Sequence, residues 1–421
     1  MPSHVTILAA GTRGDIQPFV ALGRGLRDAG YDVTLAANTE FRALVHEYGV
    51  PFRALGADWL KLADTEEGRE ALHHPLTGSK RMRELSQPMV RRMLDDAWAA
   101  AQDTDAIVYH PKTMAGPHLS ERLGVPAFVA SAVPVLSPTR AFPMPGLVKR
   151  RTFGGRLNHA SYRLARLSTR PYRDTIDAWR RETLDLPPAT DLPAGPTLYA
   201  YSESVVPRPS DWADDTFVTG YWFPPTLPPA GGWTPDPALA RFLAAGPAPV
   251  YVGFGSMPVD DIAEQVVSGL RHAGARGLIA APVPPSDDMF AVGDVPHHWL
   301  FDHVAAVVHH GGAGTTGAGL RAGRPTVIVP QGVDQPFWAH AVHALGAAPA
   351  PVHDLRDLGR AVTEALGDPI ARRASELGRE LRLQDGVATA VRLLQAAISP
   401  TTPRRTPCSL PSRAATQPFA A

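Results

Sequence analysis

Short apolar runs alternate along this chain with longer segments whose apolar positions recur every three to four residues, the pattern of parallel strands joined by helices. In the first half the runs predict strands at 5–10, 32–37, 106–109, 127–130 and 197–200. Between the first two, residues 17–29 place Phe19, Leu22 and Leu26 on one face of a helix. The second half repeats the scheme with strands at 250–253, 277–280, 305–308 and 326–329. Each half opens with a strand feeding a glycine turn, GTRGD in one and GFGS in the other, which predicts an α/β chain of two facing Rossmann-like domains. Residues 223–237 (FPPTLPPAGGWTPDP) are dense in proline and glycine and read as the linker between a domain at 1–222 and one at 238–385. Helical patterns at 370–383 and 387–398 follow, broken at Gly386, and 399–421 has the composition of a disordered tail.

The stretch 309–335, HHGGAGTTGAGLRAGRPTVIVPQGVDQ, carries the densest candidate chemistry. An apolar run at 304–308 ends in two histidines and a glycine turn, and a helix then opens at Gly314, Thr315 and Thr316. A helix start offers unpaired backbone N–H groups and the positive end of the helix dipole, which suits a diphosphate. The next strand delivers Asp334 and Gln335 beyond its carboxyl end, an acceptor carboxylate beside a donor-and-acceptor amide, fitted to sugar hydroxyls. Gly312, Gly314 and Gly317 also form a GxGxxG, with Asp334 about twenty residues on, as a dinucleotide-binding fold would have it. The paired histidines before the glycines, and the four residues between the strand and Asp334, favour a nucleotide sugar over a nicotinamide or flavin. A purely structural glycine turn remains the bland alternative.

Composition narrows the classes. At 421 residues the chain suits two domains of roughly 150–200 residues. Its 41 basic and 41 acidic side chains cancel, so nothing in the charge supports a nucleic-acid partner. The single cysteine, Cys408, excludes an internal disulfide framework. No apolar run approaches the ~20 residues of a membrane span, and the first strand is broken too early to serve as a secretory segment, so a cytoplasmic location is expected. A metal is not expected: the one D-x-D, Asp103 to Asp105, lies far in sequence from 309–335, and His73/His74 and His297/His298 are adjacent pairs that rarely share one ion.

Five ordered blocks carry a resemblance: GTRGDIQPFVAL, PRPSDWADDTFVTGYWF, YVGFGSMPVDD, VPHHWLF and the 309–335 stretch. Together they resemble family 1 glycosyltransferases of the GT-B fold, in particular the sterol 3-beta-glucosyltransferases and bacterial enzymes that glycosylate macrolides and other natural products. The resemblance implies two facing domains with a deep cleft, and a last helix, 386–398, crossing back to the first. It implies inverting transfer of a hexose from a UDP- or dTDP-sugar to a hydroxyl of a lipophilic small molecule, with no cofactor beyond that co-substrate. An epimerase or hydrolase of the same fold, or an auxiliary binding protein, stays open.

Asp15 lies in the turn after the first strand, where side chains enter the crevice of a parallel sheet, and a carboxylate there suits a general base. The alternative is an N-cap for a helix beginning near Gln17. The resemblance supports the base: an aspartate occupies this RGD position in the antibiotic and sterol enzymes, whereas plant relatives use a histidine oriented by a second aspartate. The matching second position, near Tyr109 and His110, carries no acid, so no His–Asp dyad is expected. The resemblance also places Thr12 and Arg13 near the phosphates, His297 as a donor contact and the Val295 backbone against the nucleotide base, with a solvated turn residue as the alternative for Arg13 and a surface-loop histidine for His297. His310 is expected to face the phosphates while His309 packs, by strand alternation and by the resemblance. Ser256 of GFGS closes the other glycine turn, with phosphate contact or simple turn hydrogen bonding as its role. The inserts at 58–98 and 134–173 hold Trp59, Leu60, Met82, Met89, Met93, Phe142, Met144 and Phe153, which suit a lipophilic acceptor or ordinary core. Residues 149–173 hold eight basic side chains and no acid, with Arg156, Arg163 and Arg170 opposite Leu157, Leu164 and Leu167; this reads as a solvated helix face or as a peripheral contact with an anionic membrane.

Overall fold

A computed structural model of the chain describes residues 2–56, 65–67, 78–147, 152–165, 170–189, 192–226, 234–255, 262–284 and 286–398. Two all-parallel sheets organise it. The first runs β3-β2-β1-β4-β5-β6-β7, built from β1 (His4–Leu8), β2 (Asp32–Asn38), β3 (Phe52–Leu55), β4 (Ala106–Tyr109), β5 (Ala127–Ser131), β6 (Thr197–Tyr199) and β7 (Thr216–Val218). The second runs β10-β9-β8-β11-β12, from β8 (Val250–Gly253), β9 (Gly277–Ile279), β10 (Met289–Ala291), β11 (Ala306–His309) and β12 (Thr326–Ile328). Every strand expected from the apolar runs is present; β3, β7 and β10, all edge strands, were not expected.

Both faces of the first sheet are covered, as a parallel sheet requires. Val5, Ile7 and Val108 point to one face, where Phe19, Leu22 and Leu26 of α1 (Arg13–Asp28) pack. Leu8, Ile107 and Tyr109 point to the other, against Val90, Met93 and Leu94 of α2 (Gly78–Ala100). Helix α1 begins at Arg13, four residues before the expected start, with Thr12 as its N-cap. Asp15 is therefore not the cap. It sits at the third helical position and accepts a hydrogen bond from the Thr12 backbone N–H, the reciprocal half of a T-x-x-D capping box.

Of the basic stretch 149–173, the structure describes 152–165 and 170–173, and Leu167 lies outside the described residues. Helix α3 spans Gly155–Ala165, and Arg170 opens a 3-10 turn, Arg170–Tyr172. Its buried side is Asn158, Ser161 and Tyr162, and Leu157 projects 63% exposed into solvent. Among the acceptor-pocket candidates, Met93 is fully buried core and Phe142 packs on Trp212 and Phe337, while Trp59 and Leu60 lie outside the described residues.

The two sheets are joined by an apolar cluster to which both contribute. Tyr199, Tyr201, Trp212 and Tyr221 meet Leu320 of α4 (Ala313–Arg321), Ile328, and Trp338 of α5 (Gln335–Ala344). Tyr201 lies edge-on to Trp338 with ring centroids 5.6 Å apart, and Gly317 of α4 leaves the space that Tyr221 fills. The chain then returns. Helix α6 (Asp368–Arg382) packs on α4, and the last helix, α7 (Gly386–Ile398), sets Ala390, Val391 and Leu394 into the core under α1. Gly386 opens this last helix rather than separating two, held close to Gly220.

Candidate active site at the two switch points

In each sheet strand order reverses direction once, between β1 and β4 in the first and between β8 and β11 in the second. Open parallel sheets bind ligands beyond the carboxyl ends of their strands at such points. Leu8 pairs with Tyr109, and Gly253 with His309, so each reversal brings two post-strand turns side by side.

At the first reversal the turn after β1 carries Thr12, Arg13 and Asp15, and the turn after β4 carries His110 and Lys112. The Asp15 carboxylate is ringed by donors. Its Oδ2 accepts from Lys112 Nζ at 2.7 Å, Thr12 N at 2.8 Å and Thr12 Oγ1 at 3.1 Å. His110 Nε2 stands 3.4 Å from Oδ1. Burial pushes the Asp15 pKa up, but His110, Lys112 and the hydrogen bonds from Lys112 and Thr12 outweigh it and hold the carboxyl below its ordinary value. His110 is buried edge-on against Phe19, and its pKa is pushed down to about 4 by desolvation, so it is neutral at pH 7. Gly11 makes the arrangement possible: at φ +136° its backbone passes so close that a Cβ there would lie 2.2 Å from Asp15 Oδ2. The expectation of no His–Asp pair is thus corrected. The pair exists with the roles exchanged along the chain, an aspartate after β1 and a histidine after β4.

At the second reversal His309 is fully buried, and its Nδ1 accepts from Gly311 N at 3.0 Å. Burial pushes its pKa down to about 3. His310 is partly exposed, its ring lying between Gly255 and Gly312, where a Cβ would meet it at 3.2 and 2.8 Å. Burial also lowers its pKa, and its Nδ1 is buried with no hydrogen-bond partner among the described residues. Helix α4 starts from Gly312, a cap with no side chain, so the first N–H groups, at Ala313, Gly314 and Thr315, have no intrahelical acceptor. The space beside Gly314 is open. Ser256 lies outside the described residues.

His297 stacks on Phe301 at 4.6 Å and stands edge-on to Tyr251, and desolvation of the ring, with Arg13 across the cleft adding, pushes its pKa down to about 4. Val295 is half-buried just before it. Asp334 accepts from Trp338 Nε1 at 2.9 Å; burial raises its pKa, with Asp15 adding to the rise and Lys112 opposing it. The Gln335 carbonyl accepts from the backbone N–H groups of Gln331 and Gly332, so only its NH2 is left to face a ligand, not both halves of the amide. The adjoining Val333 has φ 52° and packs near Gly146 of the first domain. A β-branched residue in that conformation is strained.

The structure thus brings Asp15, Lys112 and Asp334 within electrostatic reach of one another, and Arg13 within reach of His297, so the two reversals face one cleft. Lys112, His110 and Trp338 were not singled out in the sequence as partners of the two carboxylates. Among the described residues no group of three or more His, Cys, Asp or Glu is placed to hold a metal, and no helix is long and apolar enough to cross a membrane.

Comparison with known proteins agrees with this geometry. Residues 5–141 match the glycosyltransferase family 28 N-terminal domain, and residues 261–391 match the erythromycin biosynthesis protein CIII-like C-terminal domain. The chain belongs to the family 1 glycosyltransferases of the GT-B fold. Within them it is 35% identical over 425 residues to a sterol 3-beta-glucosyltransferase of Neosartorya fischeri, covering 93% of this chain and 29% of that protein. It is 34% identical over 420 residues to sterol 3-beta-glucosyltransferase UGT80A2 of Arabidopsis thaliana, covering 93% of this chain and 65% of the relative. The chain therefore spans under a third of the length of the fungal relative. Among solved structures, the glycotransferase of kitacinnamycin superposes with a TM-score of 0.68 at 22% identity over 94% of this chain and all of that one. The Streptomyces sp. SF2575 glycosyltransferase SsfS6 complexed with thymidine diphosphate gives 0.60 at 21% identity, over 94% of this chain and all of that one.

Proposed function

We propose that the protein transfers a hexose from a UDP- or dTDP-sugar to a hydroxyl of a lipophilic small molecule, with inversion at the anomeric carbon and without a metal. The observation that carries this reading is the apposition of an ionised aspartate on one switch point with a bare helix N-terminus and Asp334 on the other. The names of the sterol glucosyltransferase relatives support a lipophilic alcohol as acceptor, and the bound thymidine diphosphate of SsfS6 supports a nucleoside diphosphate donor.

In this mechanism the diphosphate lies on the N–H groups of Ala313, Gly314 and Thr315, flanked by His310, with Thr12 and Arg13 approaching from the other domain. His297 and the Val295 backbone hold the nucleoside, and Asp334 and the Gln335 NH2 bind sugar hydroxyls. The acceptor oxygen attacks the anomeric carbon from the Asp15 side while its proton passes to the carboxylate. The bond from the anomeric carbon to the phosphate oxygen breaks, and its electron pair leaves with the diphosphate. The helix amides offset the negative charge that develops there, the work a metal ion does in other transferases.

Asp15→Asn tests the assignment. Transfer from UDP-glucose or dTDP-glucose to a panel of lipophilic alcohols should fall by about 10²–10⁴-fold, the usual contribution of a general base, with the affinity for the free nucleoside diphosphate within about threefold. Normal turnover by this variant would remove the base. Sugar release that proceeds equally with and without every alcohol would replace the transferase by a hydrolase.

A further inference from the structure

The carboxylate of Asp15 is not symmetric. Three hydrogen bonds, from Lys112 Nζ, Thr12 N and Thr12 Oγ1, all converge on Oδ2. Among the described residues Oδ1 faces only His110 Nε2, at 3.4 Å. The His110 tautomer follows from its other nitrogen: Nδ1 accepts from the Lys112 backbone N–H, so the ring proton sits on Nε2 and points at Oδ1. His110 therefore has no lone pair directed at the carboxylate and cannot relay a proton from it. The Lys112 side chain is 49% exposed, so its cost of leaving water is small, yet it spans 97 positions of sequence to end on one oxygen of this acid.

From this asymmetry we infer that Lys112 is a positioning residue for the base: its ammonium fixes Oδ2 and turns Oδ1 toward the acceptor as the atom that receives the proton. The inference rests on the reading of Asp15 as base. The charged and titratable groups around Asp15 are Lys112 and His110 from the turn after β4 and Asp334 from across the cleft; Arg13, on its own helix, turns to Gln17 and His297. His110 and Lys112 both lower the proton affinity of Asp15, and at neutral pH, where His110 is neutral, Lys112 is the one that does so through a full charge. Its removal leaves the effect of burial less opposed, so the carboxyl must titrate at higher pH.

The test is a carbon-13 NMR titration of aspartate-labelled protein, with the Asp15 signal assigned by its loss in Asp15→Asn. In Lys112→Met the midpoint should rise by about one pH unit, a tenfold gain in proton affinity, and in Lys112→Arg it should stay within about half a unit of wild type. Turnover of UDP-glucose onto cholesterol supplies a second readout. Lys112→Met should lower kcat about 10–100-fold through misplacement of the base, leave KM for UDP-glucose within about threefold, and move the acid limb of the pH profile upward. The direction is fixed because activity needs ionised Asp15 and is lost as pH falls through its pKa. Lys112→Arg should restore most of the rate. An unchanged Asp15 midpoint in Lys112→Met overturns the inference whatever the turnover. An inactive Asp15→Asn enzyme beside that unchanged midpoint would leave the base reading standing and remove only the role of Lys112.

Discussion

The two domains solve the same local problem in opposite ways. In each, a strand ends at a switch point, a glycine turn follows, and a helix begins whose first N–H groups need acceptors. At α1 the chain supplies the anion itself: Asp15 folds back onto the Thr12 N–H and is held there by Lys112. At α4 the cap is Gly312, and among the described residues no side chain caps the first turn and Gly314 faces open space. One helix start presents a fixed carboxylate and the other a row of backbone N–H groups without an intrahelical acceptor. Facing each other across a cleft, they form a site in which a proton acceptor and an anion holder have the same backbone origin. What distinguishes them is the presence or absence of one acidic side chain in the first helical turn.

The difference can be broken by giving α4 its own acid. Gly314→Asp places a carboxylate in the first turn, where no neighbour among the described residues lies within 4 Å of the new Cβ. A negative group there interacts favourably with the helix dipole, by about 0.3–1 kcal/mol. It also repels a diphosphate seated on the same amides, by several kcal/mol at an effective dielectric near 20. Thermal stability should hold or rise while affinity for uridine or thymidine diphosphate falls at least about 100-fold. Calorimetric titration beside a melting curve checks both at once. Wild-type nucleotide affinity in this variant would show that the diphosphate is held elsewhere.

The complementary change sharpens the first domain's side. Gly11→Ala puts a methyl group where Asp15 Oδ2 now sits, at a backbone angle that L residues rarely adopt. A strained site of this kind costs about 1–3 kcal/mol, and the displaced carboxylate should lower kcat by about 10–100-fold. Nucleotide binding, carried by the other domain, should change less than about threefold. A denaturant melt and steady-state rates separate the two effects. Wild-type stability together with wild-type rate would mean that Gly11 tolerates the methyl group and that the close fit around Asp15 is unimportant.

Much of this was legible beforehand because the central strands of a parallel sheet are buried on both faces and read as unbroken apolar runs; β4 and β8 were delimited to the residue. The edge strands β3, β7 and β10 were not, being only three or four residues long and partly exposed. The start of α1 was missed although its signal was present: Thr12 and Asp15 have the T-x-x-D spacing of a capping box. The second carboxylate sought near His110 does not exist because His110 is itself the partner of Asp15. Lys112 was invisible for a different reason, being an exposed lysine with no local pattern. It could have been found only by aligning the ends of β1 and β4 as neighbours at the switch point, which requires the strand order. The acceptor inserts gave least, because apolar residues there serve core and interface as readily as a pocket, as Met93 and Phe142 do.

The smallest expected effect concerns the carboxylate on the second domain's side of the cleft. Asp15 is held below its ordinary pKa by surrounding donors, whereas Asp334 is raised by burial and has, among the described residues, a single side-chain donor, Trp338 Nε1. Trp338 is fully buried and packs edge-on to Tyr201 of the first domain, so the contact between domains also sets where this indole points. Trp338→Phe keeps an aromatic ring against Tyr201 but removes the hydrogen bond. Losing one donor to a partly desolvated carboxylate costs about 1 kcal/mol, which corresponds to roughly a fivefold rise in KM for the nucleotide sugar. The same loss raises the Asp334 pKa further. A protonated Asp334 is a weaker acceptor for sugar hydroxyls, so the defect should be larger at pH 5.5 than at pH 8. KM values for UDP-glucose at the two pH values decide it: equal defects would mean that Asp334 stays ionised without the indole, and no defect at either would take Asp334 out of the sugar site.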